Sequence, residues 1–164
     1  MTHGIFQVGL MITAVALMAG VGGEASQRAA KDQKMTARGT FDVKVTPQPQ
    51  DDSAGGPFGR LFISKNFHGD LEGTSSGQML GSGSPDQGSA GYVALELVTG
   101  TLNGKRGSFV LQHKGTMRKG VSTMAVTVVP DSGTGELSGI SGTMSIIIEG
   151  SKHSYALEYT FEDR

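Results

Sequence analysis

From residue 36 onward the chain alternates apolar and polar residues with a period of two, in short runs broken by glycine and turn-forming residues. Successive side chains on a strand point to opposite faces, so this alternation marks half-buried strands. Phe41, Val43 and Val45 alternate with Thr40, Asp42, Lys44 and Thr46 as a first strand. Leu61, Ile63 and Phe67 begin a second, with Asn66, His68 and Asp70 on the opposite parity. Residues 71–80 continue it or return as a third, and 81–88 (GSGSPDQG) has turn chemistry. Runs at 90–102, 107–117, 121–129, 144–149 and 155–161 complete eight. Asn103-Gly104 is a strong hairpin signal, because a type I′ turn needs positive φ at both central residues. Nothing after residue 35 keeps a helical period over three turns, so the fold class is all-β.

Eight short antiparallel strands either form a sandwich or close on themselves. Short sequential connections favour closure. So do the glycines inside strands (Gly69, Gly73, Gly100, Gly115 and Gly142), where a barrel needs bends and close approaches. Glycine is 26 of 164 residues, more than twice its average share of about 7 %. Several strands are apolar on both parities, as with Val93, Leu95 and Leu97 against Tyr92, Ala94 and Val98. One face then lines a barrel and the other packs on a partner subunit or a covering segment. The expected architecture is an eight-stranded antiparallel barrel over residues 36–164.

The start of the chain reads differently. Residues 5–19 are apolar except for Gln7, Gly9 and Thr13, and Gly23-Glu24-Ala25 offers small residues for cleavage after Ala25. About fifteen apolar residues fall short of the roughly 20 of a membrane span. Residues 1–25 are therefore expected to be a signal peptide or short apolar leader, with 26–35 as a linker and no stable membrane span. The expected location is the periplasm or the outside of the cell. Translation from Met35 would instead leave the barrel in the cytoplasm. With no cysteine, disulfides, thiolate metal sites and cysteine nucleophiles are excluded. A formal charge of −1 gives no field for a polyanion. Lys105-Arg106 and Arg118-Lys119 lack the aromatic platform of a nucleic-acid face.

The strings GTFDVK (39–44), FHGDLEG (67–73), GSAGYVALELVTGTLNGKRGSFVLQHKGTM (88–117) and VVPDSGTGELSGISGTM (128–144) carry a resemblance. They resemble a bacterial family of uncharacterised proteins, a domain of unknown function whose members are structurally similar to plant allene oxide cyclase. The resemblance runs from about Thr36 to Phe161. It implies an allene-oxide-cyclase-like barrel and self-association, and no particular activity or site residue.

His113 shares its parity with Phe109, Leu111 and Met117, which places an ionisable ring in an apolar stripe. Such a ring can orient a carboxylate or carbonyl, or move a proton, and it can equally be a hydrogen-bonded structural group. Glu96 shares its parity with Tyr92, Ala94 and Val98. Facing inward it would be a desolvated carboxylate; facing outward, the commoner place for glutamate, it is a surface charge. His68, Asp70 and Glu72 share a parity but span about 13 Å, too far for one metal ion, and read as a solvated rim. Gly73-Thr74-Ser75-Ser76-Gly77 matches GxSxG without the helix a nucleophile elbow requires. Residues 133–139 (GTGELSG) lack dinucleotide-binding spacing and read as a turn. No cofactor or metal is called for.

The leading expectation is a binding module that holds a small, mostly apolar molecule in the barrel. Its candidate lining is His113, Glu96, Tyr92, Phe109 and Leu111. The alternatives are an isomerase or cyclase acting on a lipid-derived substrate, by fold analogy alone, and a ligand-free structural barrel that forms a homo-oligomer.

Overall fold

The computed structural model describes residues 33–49, 56 and 58–162. The expected leader and most of the linker lie outside the described residues. Eight strands follow in chain order: β1 (Met35–Pro47), β2 (Gly59–Gly69), β3 (Leu71–Ser84), β4 (Ser89–Leu102), β5 (Lys105–Arg118), β6 (Val121–Val128), β7 (Ile140–Glu149) and β8 (Lys152–Phe161). Each pairs antiparallel with the next, and β8 pairs back onto β1, giving the closed eight-stranded barrel that the alternation predicts. Among the described residues no helix is long and apolar enough to cross a membrane.

Strands outrun their apolar patterns where a neighbour satisfies the backbone regardless of side chain. Gly81–Ser84, turn-like in sequence, pairs with Ser89–Tyr92 and leaves Pro85–Gln87 as a single 3₁₀ turn. β7 likewise starts at Ile140, opposite Phe161. The turns obey local rules. Asn103 and Gly104 take φ of 47° and 83°, and Lys119 and Gly120 take 50° and 80°, the geometry of type I′ hairpins.

One end of the barrel is sealed. Leu71, Leu102, Leu137, Ile140, Leu157 and Tyr159 are buried there. Leu137 comes from the connection between β6 and β7, which also takes over the edge of β5 once β6 has ended. Val129 N–H donates to Val110 O (2.8 Å), Val110 N–H to Ser132 Oγ (3.0 Å) and Thr134 N–H to Ser108 O (2.8 Å). In the sealed half, close approach of paired strands demands glycine. A Cβ at Gly100 would run into the Glu72 carbonyl oxygen, and one at its partner Gly73 into that of Thr99. Tyr155 reaches over Gly39 on β1 to fasten the β2–β3 turn, its hydroxyl accepting the Leu71 N–H at 2.9 Å. Each fully buried leucine or phenylalanine contributes roughly 1.5–3 kcal/mol, so apolar packing holds this cysteine-free wall.

The other end is where β1 finishes, β2 begins and the β3–β4, β5–β6 and β7–β8 connections gather, and among the described residues it is less filled. The seam between β6 and β7 runs toward it, with register pairing only at Thr127 and Thr143.

Candidate functional site

Four polar side chains point into the apolar lumen between the two ends: Lys65 from β2, Ser75 from β3, Glu96 from β4 and His113 from β5. Lys65 and Ser75 are direct cross-strand partners, while Glu96 lies opposite Gly77. With no side chain at Gly77, the Glu96 carboxylate has room to lean over β3 toward Ser75. Ser75 Oγ donates to Glu96 Oε1. Lys65 Nζ donates to Oε2 at 2.7 Å. His113 Nε2 stands 2.8 Å from the same oxygen, off the line of a well-formed hydrogen bond. The Lys65 ammonium also faces the rings of Phe41 and Phe67, 4.9 and 5.7 Å from their centroids.

Glu96 is 0 % exposed, and burial by itself pushes its carboxyl pKa up. The His113 imidazole, the Lys65 charge and hydrogen bond, and the Ser75 hydroxyl outweigh that effect. They bring the pKa down from its usual 4.5 to about 2, so the buried group is a carboxylate at neutral pH. The exposed edge of the cluster belongs to its donors: Lys65, Ser75 and His113 keep 6, 7 and 4 % of their surface, Glu96 none.

Toward the open end, the next inward positions on β3, β4 and β5 are Gly77, Ala94 and Gly115. Three neighbouring strands thus place nothing larger than a methyl group beside the charges. Above this layer the Tyr92 ring lies over Gly115, where a Cβ would run into it. Leu61, Met79, Tyr92 and Met117 line a cavity of about 460 Å³. Desolvation there raises the Tyr92 hydroxyl above its usual 10.0. Across the barrel, beside the weak seam, Met124, Met144, Ile146 and Ile148 line a second cavity of about 420 Å³. Methionine suits such a lining, being apolar and adaptable in shape.

The barrel brings His113 and Glu96 together and sets Tyr92 at the mouth above them. The even-numbered face of β4 points inward, so Glu96 is no surface charge. Phe109 and Leu111, both 0 % exposed, lie further along β5 toward the sealed end and pack in the core. His68, Asp70 and Glu72 sit at the rim as their spacing implies. Asp70 accepts the Arg38 N–H (2.8 Å), Glu72 accepts the Gly69 N–H (2.7 Å), and His68 lies 3.4 Å from Asp42. Sequence reasoning missed Lys65 and Ser75. Lys65 was detectable by the logic that isolates His113, since it shares a parity with Ile63 and Phe67. Ser75 and Gly77 lie in the GxSxG string, where they accommodate a carboxylate instead of forming a nucleophile elbow.

Residues 37–159 match the model of a protein family of unknown function, DUF3224. A crystal structure of a DUF3224 protein of unknown function from Shewanella oneidensis is 45 % identical in sequence, with a TM-score of 0.74. The similarity covers 80 % of this chain and 100 % of that one. Nothing among curated proteins matches.

Proposed function

The chain belongs to the DUF3224 family of proteins of unknown function, and we propose that it is a binding module taking a small, mostly apolar molecule into the open end of its barrel. The observation that carries this reading is the cavity of about 460 Å³ walled by Leu61, Met79, Tyr92 and Met117, set above a buried charged cluster. Binding sites for small molecules run to roughly 300–1,000 Å³ and combine apolar walls with a few placed polar groups. Here the walls supply affinity, and the donors at the exposed edge of the cluster, Lys65, Ser75 and His113, supply orientation. Native mass spectrometry of the purified protein, with organic extraction of what it carries, tests the reading. A stoichiometric small molecule, lost when Met117→Trp fills the mouth, is the expected result. A barrel that carries nothing and takes up no apolar probe refutes it.

A second reading, self-association, rests on the outer surface of the barrel. Leu80, Val93, Leu95 and Leu97 are 41, 53, 56 and 46 % exposed there. Contiguous exposed apolar surface commonly marks an interaction site. Light scattering that returns a monomer across working concentrations removes this reading and leaves the first intact.

A further inference from the structure

We infer that the apolar molecule enters the barrel sideways, through the wall between β6 and β7, and that these two strands pair up behind it. The inference rests on the open half being a binding cavity, as proposed above, and adds the route. Its basis is a break in an otherwise continuous wall. β6 pairs with β5 along its whole length, and β7 with β8 along its own. Between β6 and β7, among the described residues, the register holds only at Thr127 and Thr143. From there to the open end, residues 121–126 and 144–149 border a gap about 17 Å long at the rise of a strand.

The gap is open and apolar. Its cavity of about 420 Å³ is bounded by Met124, Met144, Ile146 and Ile148, which point inward, and by Ser145, which points outward, so it passes through the wall. Met124 and Ile148 face inward yet are 42 and 60 % exposed, whereas Val126 and Met144, beside the one remaining pair, keep 2 and 4 %. A molecule entering here slides over Met124, Ile146 and Ile148, so its apolar surface leaves water against apolar side chains throughout. Methionine adapts its shape to what passes.

The same two edges are built to meet. A closed barrel has no free strand edge, and proteins that expose one blunt it with charged residues, proline or a bulge. Residues 121–128 (VSTMAVTV) and 144–148 (MSIII) contain no charge and no proline, and are rich in the β-branched side chains that favour strands. Continuing the Thr127–Thr143 register one for one sets Met124 opposite Ile146, Thr123 opposite Ile147 and Ser122 opposite Ile148. Pairing in that register satisfies the backbone groups of both edges and covers Met124 and Ile148. The open gap is thus one of two arrangements of the same wall, hinged where pairing holds.

The chain has no cysteine, so a disulfide placed across the gap forms without competing thiols. Thr123→Cys with Ile147→Cys supplies it, at positions that face each other in the continued register and point away from the lumen. Stopped-flow fluorescence follows uptake and release of N-phenyl-1-naphthylamine by the parent and by the oxidised and reduced double variant. Oxidation should slow both steps at least about tenfold while leaving Kd within about threefold, because a portal changes rates and not the bound state. Reduction should restore the parent's rates. Equal rates in the two forms overturn the inference and leave the cavity standing. So does failure of the disulfide to form, since the strands then do not approach within the roughly 7 Å between Cα atoms that a disulfide spans. Hydrogen exchange of the unmodified chain gives a check independent of the variant. Amides on the facing edges of β6 and β7, from the Thr127–Thr143 pair to the open end, should exchange at least about tenfold faster than those of β3 and β4, and slow when the probe is bound. Uniform protection overturns the inference as well. If the parent takes up no probe, the cavity reading itself is refuted, and this inference with it.

Discussion

Removing either half of the Lys65–Glu96 pair should cost far more than removing both. The Glu96 carboxyl is lowered from 4.5 to about 2 in the folded chain. At 1.36 kcal/mol per tenfold change in acidity, that is roughly 3 kcal/mol of stability at neutral pH. Lys65→Met leaves the carboxylate with Ser75 and His113 and without its ammonium. Glu96→Leu leaves an ammonium buried against Phe41 and Phe67 with no anion. Each single change should cost about 3–5 kcal/mol, whereas the double variant, with apolar residues in both places, should lie within about 2 kcal/mol of the parent. The coupling between the sites is then at least about 4 kcal/mol.

The pH dependence gives an independent check. A folded-state pKa below the unfolded one stabilises fully above about pH 4.5, and the contribution disappears as pH falls through about 2. Between pH 7 and pH 3 the parent should therefore lose about 2 kcal/mol more than the double variant. With no tryptophan in the chain, urea unfolding followed by far-ultraviolet circular dichroism is the assay. Additive single costs, singles below about 1 kcal/mol, or parallel pH profiles for parent and double variant would refute the reasoning.

Other perturbations separate wall from site. Tyr155→Phe leaves the buried Leu71 N–H without its 2.9 Å acceptor and should cost about 1–3 kcal/mol in chemical denaturation. Gly100→Ala drives a Cβ into backbone and should cost at least about 2 kcal/mol, read as a lowered melting temperature. Gly115→Ala meets the Tyr92 side chain, which can swing away; it should cost less, and displacement of a fluorescent apolar probe should show altered affinity. Met117→Trp should abolish uptake of such a probe while moving the urea midpoint little, because position 117 lies at the mouth and outside the packed core.

Much of the wall is legible in the sequence. Alternation of small runs, Asn103-Gly104 and Lys119-Gly120 define strands and turns through interactions within a few residues, which tertiary context does not alter. The ionisable ring in the Phe109–Leu111–His113 stripe is visible for the same reason. The connection from Val129 to Gly139 is less so. Its glycines announce a turn, but not that Leu137 plugs the barrel or that Ser132 and Thr134 serve the edge of β5.

What the sequence by itself determined is which residues share a face, because parity along a strand is local and repeats every second position. Which face looks inward is a property of closure. On β4 both parities are apolar, so only the closed barrel decided that Tyr92, Ala94, Glu96 and Val98 point in while Val93, Leu95 and Leu97 point out. Closure also carried Lys65 and Ser75, 31 and 21 residues before Glu96, to the same carboxylate. That meeting depends on inter-strand register, which is set by the whole sheet and by no short stretch of chain.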